Sequence, residues 1–230
     1  MYSTTKKAVS FTLGPGTCLS ELDAASLTAI THAAVRRSYK KGQIVCLEGE
    51  PCPGLIIIES GWIAEVKISP QGREQEIRLE GPGEMINEIS VMAGDTNLCT
   101  LKSMGNSVMW VIQRSIIFRL MDQHPELRNI ITRNLAKLVV QLLNIVEDLS
   151  LRNVEGRLAR LLLNRSEDGI IHRHYWSTQE EMAACIGTTP VVISRMLNSM
   201  QDKGAIRLEH QQIHILDHKQ LELAVFQNLK

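Results

Sequence analysis

The chain has 230 residues, of which 44% are hydrophobic and 22% charged, a composition typical of a globular protein large enough for two modest cores. It contains no apolar run of about 18 residues and no signal-peptide segment, so we expect a cytoplasmic protein without a membrane partner. Five cysteines without regular spacing argue against a secreted disulfide framework. The net charge is zero, and acidic and basic residues also balance in residues 154–230, which excludes strong non-specific binding to nucleic acid.

Two segments of different periodicity occupy the N-terminal half. Residues 20–37 carry apolar residues at helical spacing, among them Leu22, Leu27 and Ile30, and predict a short helix. Residues 38–120 alternate short β-rich runs with glycine-bearing turns, a pattern typical of a barrel or jelly roll.

After Pro125, apolar residues recur at the a and d positions of a heptad, which predicts one long helix. The residues of this seam are Ile131, Leu135, Leu138, Leu142, Ile145 and Leu149. We interpret the seam as the interface of a parallel dimer, with burial inside one subunit as the alternative. Asn153 then predicts the start of a new helix, so a hinge is expected at residues 150–153.

Residues 177–200 predict two short helices around a tight turn, the pattern of a helix-turn-helix. Ser177 followed three residues later by Glu180 forms a capping box, and Gly187 permits the positive φ of the turn. Thr189 and Pro190 suit the start of the second helix. Ile193, Met196, Leu197 and Met200 then form one buried stripe.

The opposite face of the second helix carries Val191, Ser194, Arg195 and Asn198, the row that a recognition helix presents to base edges. Two short alternating segments, 205–208 and 212–216, follow around the polar tip 209–211 and predict the hairpin of a winged helix.

A barrel, a long helix, a hinge and a winged helix, in this order, resemble the family of the cyclic-AMP receptor protein and the fumarate–nitrate reduction regulator. The resemblance covers about residues 20–220 and is strongest in residues 41–52, 59–66, 83–92 and the helix-turn-helix. It implies a homodimeric transcription regulator that binds palindromic double-stranded DNA and contacts RNA polymerase, and that is not an enzyme.

The resemblance also assigns roles to the DNA-reading residues. Arg195 resembles the family's recognition-helix Arg, which can donate two hydrogen bonds to guanine. Ser194 matches the fumarate–nitrate branch, whereas Pro190 and Val191 replace the usual Arg-Glu pair, so Val191 is expected to contact a thymine methyl group. Three further residues are predicted to contact phosphates: Gln179, Thr188 and Thr189.

The cyclic-nucleotide site of the family is only partly present. Glu88 stands where members carry the Glu for the ribose hydroxyl, and a purely structural role for this acid is the alternative. Leu98 and Cys99 replace the Arg and Ser that hold the cyclic phosphate, and Leu142 and Leu143 replace the polar pair that contacts adenine. Because a buried phosphate requires a cationic partner, we predict an effector other than cyclic AMP.

Three alternatives remain open for the signal: a small apolar effector, a barrel filled by its own side chains, and a thiol switch. The predicted effector pocket consists of Met85, Glu88, Val91, Leu98, Cys99, Leu142 and Leu143. A sensor or interaction protein with a degenerate DNA reader is the alternative to DNA binding.

No cofactor or metal is predicted, and haem and an iron–sulfur cluster are the less favoured alternatives. Iron–sulfur members carry closely spaced N-terminal cysteines, whereas this chain has Cys18 followed only by Cys46, Cys52 and Cys99. Histidine is absent between residues 32 and 124, which argues against haem and against a metal-dependent barrel enzyme.

These predictions define an α+β protein of three parts. A sensor β-barrel of the cyclic-nucleotide-binding type, with a short N-terminal helix, is expected in residues 1–125. The dimerisation helix follows in residues 126–152, and the winged helix-turn-helix DNA-binding domain in residues 153–230.

Overall fold

The computed structural model describes residues 17–172, 178–210 and 212–227. The first helix, α1 (Ala24–Ala33), begins at Asp23, whose carboxylate accepts a hydrogen bond from the backbone N–H of Ser26 at 2.7 Å. The predicted N-terminal helix therefore ends earlier than residue 37. Val35 already belongs to a strand, because residues 35–39 pair with residues 107–111.

Two four-stranded antiparallel sheets follow and confirm the predicted jelly roll. Their strands are β1 (Val35–Tyr39), β2 (Ile44–Cys46), β3 (Leu55–Ser60), β4 (Ile63–Ile68), β5 (Glu74–Glu80), β6 (Met85–Ile86), β7 (Thr100–Ser103) and β8 (Ser107–Ile112). One sheet has the order β1-β8-β3-β6 and the other the order β2-β7-β4-β5. A short helix, α2 (Glu88–Ala93), separates β6 from β7.

Two helices connect the jelly roll to the C-terminal part, α3 (Arg114–Gln123) and α4 (Pro125–Leu151). Pro125 occupies the first turn of α4, where the missing N–H leaves no helical hydrogen bond unmade. The first half of α4 packs against the jelly roll of its own subunit through Leu127, Ile130 and Ile131. This packing fixes which face of α4 remains available to a partner.

The predicted dimer seam therefore requires a correction. Ile131 and Leu138 are 1% and 2% exposed within one subunit, so they cannot contact a partner. Leu135, Leu142 and Ile145 are partly buried, and Leu149 is exposed. The largely exposed apolar row of α4 consists of Val139, Val140, Leu143, Val146 and Leu149.

Helix α4 ends and helix α5 (Val154–Arg165) begins at the predicted hinge. Asn153 caps α5, because its Oδ1 accepts the backbone N–H of Gly156 at 2.9 Å. Arg152 is buried and pairs with Glu147 and Asp148, each at 2.7 Å. Asp148 also pairs with Arg160 of α5 at 2.8 Å, and this ion pair joins the ends of the two helices.

The C-terminal part confirms the predicted winged helix-turn-helix. Its remaining elements are β9 (Ile170–His172), α6 (Gln179–Ile186), α7 (Pro190–Asp202), β10 (Ile206–Leu208), β11 (Gln212–Ile215) and α8 (His218–Gln227). The wing strands β10 and β11 pair with each other, and β11 also pairs with β9, a strand that the sequence did not predict, in the order β10-β11-β9. Gln211, at the predicted hairpin tip, lies outside the described residues. Across the described ranges, no helix is long and apolar enough to cross a membrane.

Candidate DNA-reading surface and sensor interior

The helix-turn-helix is held by a capping box and a left-handed turn. Thr178 Oγ1 accepts the backbone N–H of Glu181 at 3.2 Å, and Glu181 Oε2 accepts the backbone N–H of Thr178 at 3.0 Å. The predicted box at Ser177 and Glu180 is thus displaced by one residue, and Ser177 itself lies outside the described residues. The sequence offers Ser/Thr followed by Glu in both registers. Gly187 ends α6 with φ +68°, as predicted.

Helix α7 presents a polar face to the outside, as predicted. Ile193, Leu197 and Met200 are buried, and Met196 packs partly against the same core. Val191 is 78% exposed. Thr189 occupies the position before α7, but its side chain makes no capping hydrogen bond, contrary to the prediction.

Most predicted DNA-reading residues meet on one open surface, which we call the reading surface. It is formed by Gln179, Pro190, Val191, Ser194, Arg195 and Asn198, together with Ser199 and Asp202. The last two were missed, although both lie one or two turns along α7 from the predicted row. Arg195 can reach a base edge from this surface because its side chain is exposed.

Thr188 and Thr189, the other predicted phosphate contacts, lie elsewhere. They line a cleft of about 570 Å³ between the helix-turn-helix and the jelly roll, which we call the interdomain cleft. Its wall on the jelly-roll side includes residues 71–73 of the β4–β5 turn and Glu74 at the start of β5. Thr188 and Thr189 therefore face the jelly roll, whereas the residues farther along α7 lie on the open reading surface.

The interior of the jelly roll contains a buried cluster of charges around Arg78. Arg78 Nε donates to Glu65 at 2.7 Å, and Arg78 Nη2 donates to Glu88 in a short ion pair. Glu80 approaches the same guanidinium at 3.7 Å. Glu65, Arg78 and Glu88 are all nearly inaccessible to solvent. We call these four residues the charge cluster.

Burial determines how the charge cluster titrates. It raises the pKa of Glu80 to about 7, although the positive charge of Arg78 acts in the opposite direction. Burial also raises the pKa of Glu65, again against the effect of Arg78. Arg78 stays charged because the carboxylates of Glu88 and Glu65 outweigh its own desolvation.

A small cavity of about 230 Å³ opens beside the charge cluster toward α4. Its lining is mainly polar and consists of Arg78, Glu80, Glu84, Met85, Asn134, Lys137, Leu138 and Gln141. This cavity is thus polar, whereas the sequence predicted an apolar pocket, and it includes Arg78, Glu80 and Glu84, which the prediction did not contain. The alternation of charges along β5 does not reveal this cluster, because the register of β5 is irregular at Ile77. Arg78 points into the jelly roll, whereas Glu76 contacts Arg165 and Cys185 of the winged helix.

The seven residues of the predicted effector pocket do not line one cavity. Met85 borders the small cavity, but Val91 packs in the core beneath α1, α3 and α4. Leu98 and Leu143 are 41% and 63% exposed. Cys99 and Leu142 are partly buried. Apolar character alone could not place these residues, because two of them face solvent in the single subunit.

The cysteines occupy separate places in the fold. Burial raises the pKa of Cys18, Cys46 and Cys99 to about 12, which keeps these thiols protonated and unreactive. In the described part of the chain, no group of three or more His, Cys, Asp or Glu side chains is arranged to hold a metal ion. Cys18, Cys46, Cys52 and Cys99 are thus not brought together as a cluster site.

The two halves of the chain match two domain families. Residues 36–124 match the cyclic nucleotide-binding domain, and residues 156–224 match the Crp-like helix-turn-helix domain. A sensor-type domain followed by a DNA-reading domain defines a DNA-binding transcription regulator. The chain belongs to the family of the cyclic-AMP receptor protein and the fumarate–nitrate reduction regulator, a family of DNA-binding transcription regulators.

Individual relatives are distant but similar along most of their length. The CRP-like cAMP-activated global transcriptional regulator of Mycobacterium tuberculosis is 26% identical over 206 residues, covering 87% of this chain and 92% of the relative. The fumarate and nitrate reduction regulatory protein of Vibrio cholerae is 28% identical, with coverages of 82% and 78%. The charge cluster and the reading surface must therefore be interpreted from this chain's own residues.

Solved structures support the fold. The c-di-GMP responsive global regulator CLP of Xanthomonas campestris superposes with a TM-score of 0.76 at 19% identity, covering 84% of this chain and 99% of that chain. A regulator of the crp/fnr family from Eubacterium rectale gives a TM-score of 0.72 at 23% identity, with coverages of 89% and 95%.

Proposed function

We propose that this protein is a homodimeric, sequence-specific transcription regulator whose jelly roll does not respond to cyclic AMP. The observation that carries the proposal is the buried ion pair between Arg78 and Glu88. Glu88 stands at the position that the family resemblance gives to the ribose contact, and its carboxylate is already engaged by a cation from the same chain.

The balance of charge around this ion pair opposes a nucleotide. Arg78 faces the carboxylates of Glu65, Glu80 and Glu88, so the interior carries no surplus positive charge for a cyclic phosphate. Leu98, at the position of the family's phosphate-binding Arg, is exposed and apolar. Burying an anion without a cationic partner costs several kcal/mol or more.

Apart from a thiol switch, the signal that remains is either a small effector without a phosphate group or none. An effector that donates hydrogen bonds suits the small cavity, since acidic side chains line its inner wall. A barrel filled by its own charge cluster gives an effector-independent regulator. Both forms of the proposal share the prediction that cyclic AMP does not bind.

Calorimetric titration of the purified protein with cyclic AMP tests this part of the proposal. We expect no saturable heat and no rise in the melting temperature at about 1 mM nucleotide. A ligand at 100 times its dissociation constant stabilises the folded state by about 2.7 kcal/mol, which a melting curve detects easily. A saturable, stabilising response to cyclic AMP contradicts the proposal.

Homodimerisation is proposed through the exposed apolar row of α4. Val139, Leu143 and Val146 follow one another at spacings of four and three residues, which places them on a single stripe of the helix. A dimer would present two reading surfaces to a palindromic site and would contact RNA polymerase when bound near a promoter. Two copies joined along α4 would also cover the apolar side chains that one subunit leaves exposed.

Selection of random duplexes on the purified protein tests DNA recognition. We expect enrichment of a palindrome whose half-sites lie one helical turn apart, about 10 base pairs from centre to centre. Recovery of no common sequence would instead support a sensor or interaction protein with a degenerate DNA reader.

A further inference from the structure

We propose that the structure shows a resting state in which the helix-turn-helix is docked on strand β5 and cannot engage DNA phosphates. The residues that hold it are Gln75 and Glu76 of the jelly roll and Arg165 and Cys185 of the winged helix. We call their interaction the docking contact. The inference deepens the proposed function, because it assigns to that DNA reader a built-in restraint and the residues that apply it.

Glu76 is the centre of the docking contact. Its Oε1 accepts hydrogen bonds from Cys185 Sγ at 3.1 Å and from Arg165 Nη2 at 3.3 Å. The neighbouring Gln75 donates from Nε2 to the backbone carbonyl of Cys185 at 3.2 Å. Glu76 is only 7% exposed, so its carboxylate depends on these donors from the other half of the chain.

The turn of the helix-turn-helix fits closely against the same strand. A Cβ atom added to Gly187 would lie 2.5 Å from Oε1 of Gln75 and 3.1 Å from Cδ2 of Leu149. Glycine at this position therefore serves two needs, the left-handed turn and the close approach of the jelly roll.

The docking contact is polar, which makes it reversible. One apolar cluster contains only residues from 154–225, whereas the clusters of the jelly roll contain only residues from 18–135 among those described. No apolar core joins the two halves in the described ranges. An interface held by a few hydrogen bonds and one ion pair is of the kind that separates at modest cost.

Docking blocks one part of the DNA reader and leaves another open. Arg195 and Val191 face solvent on the reading surface. Thr188, Thr189 and the start of α7 instead line the interdomain cleft, opposite the β4–β5 turn. The cleft has a volume of about 570 Å³, and its jelly-roll wall stands on the side from which a DNA backbone would approach these threonines.

The charges that line the cleft are of both signs. They are Glu74, Glu76, Glu180 and Glu181 together with Lys41, Arg73 and Lys102. The block therefore rests on the position of the two threonines opposite the jelly roll rather than on repulsion. The helix-turn-helix must leave β5 before these threonines can contact DNA.

The test compares Glu76→Gln with Glu74→Gln in the full-length protein. Both remove one carboxylate from the same strand, but Glu74 pairs with Lys102 of the same jelly roll at the wall of the cleft and makes no hydrogen bond across the cleft among the described residues. We expect Glu76→Gln to increase the radius of gyration in small-angle X-ray scattering. We also expect it to raise affinity for the selected palindrome about five-fold or more, as for typical coupling energies, and Glu74→Gln to change neither.

Arg165→Gln removes the other partner of the ion pair and guards against a folding defect specific to position 76. It is expected to reproduce the effect of Glu76→Gln, and the double variant is expected to add little, because both changes release one contact. Equal radii of gyration and equal DNA affinities for wild type, Glu76→Gln and Arg165→Gln would overturn the inference.

Scattering is measured without DNA, so failure of the proposed function is distinguishable. If every variant fails to bind DNA while Glu76→Gln expands the molecule, the docking contact stands and the DNA-reading function fails. If wild type binds its palindrome and neither variant expands or binds more tightly, the function stands and the docking inference fails.

Discussion

Arg195 is the side chain to which we assign base recognition, because it is exposed at the centre of the reading surface. We expect Arg195→Ala to weaken binding by about 1–3 kcal/mol per half-site and to relax preference at one base pair. Binding titrations on the selected palindrome and its single-base variants measure both effects. Lys203→Ala is the matched control, since Lys203 pairs with Glu155 at 2.8 Å away from that surface. Unchanged base preference in Arg195→Ala would refute the assignment.

Glu80 makes stability depend on pH. Its pKa is about 7 in the folded protein against 4.5 as the ordinary value, so the folded state binds a proton more tightly than the unfolded chain. The resulting stabilisation is present below about pH 4.5 and is lost as the pH rises through 7. Arg78, Glu65, Glu84 and Glu88 act on this group, and Lys137 lines the same cavity.

Glu80→Gln removes this pH dependence. We expect the variant to melt roughly 2–6 °C above wild type at pH 8 and to show little difference at pH 4.5, measured by circular dichroism. The exposed Glu50→Gln serves as the control and should show no such divergence between the two pH values. A constant difference for Glu80→Gln at both pH values would exclude the proposed protonation.

The charge cluster also marks the limit of prediction at the scale of residues. Glu88 was identified from the family pattern, but its partner Arg78 was not, because a charged strand residue ordinarily faces solvent. Glu65 and Arg78 lie opposite each other in paired strands, a relation that depends on the register of β4 and β5. A single sequence does not specify that register, so the buried ion pairs could not be derived from it.

At the scale of elements, the sequence predicted helix α4 itself, but the apolar face that the structure leaves exposed differs from the predicted seam. The heptad pattern predicted the helix, and Pro125 and Asn153 predicted its limits closely. The same apolar spacing suits packing on the jelly roll as well as on a partner, however, and periodicity does not say which stripe packs on the jelly roll. Ile131 and Leu138 are buried within the single chain, so the apolar row that stays exposed begins at Val139.

Leu143→Asp tests the corrected seam. We expect the variant to be monomeric in analytical ultracentrifugation at concentrations where wild type is dimeric, because a carboxylate cannot be buried unpaired in an apolar seam. Leu138→Ala is the contrasting variant. It should unfold about 2–5 kcal/mol more easily while its folded form still dimerises, because Leu138 belongs to the core of one subunit. A dimeric Leu143→Asp would place the interface elsewhere.

At the scale of the whole molecule, the even balance of charge sets how binding responds to salt. Arg195 is the only basic residue of the reading surface among those described, so each subunit releases few counterions. We expect a plot of log affinity against log salt concentration with a slope of about −4 or shallower for the dimer. Titrations between 50 and 200 mM KCl measure it. A slope near −10 would reveal a large phosphate-contacting surface that the assignment omits.

Strand β5 carries Arg78 into the jelly roll and, two residues earlier, Glu76 into the docking contact, with an irregular register next to Ile77 between them. A molecule that displaces Arg78 therefore acts on the same backbone that retains the DNA reader. Free-energy linkage then runs in both directions: if such a molecule tightens binding to the operator, the operator must tighten binding of the molecule by the same factor. Adding the palindromic DNA site to the protein should thus raise its affinity for an unknown effector, which makes the effector easier to isolate with the protein.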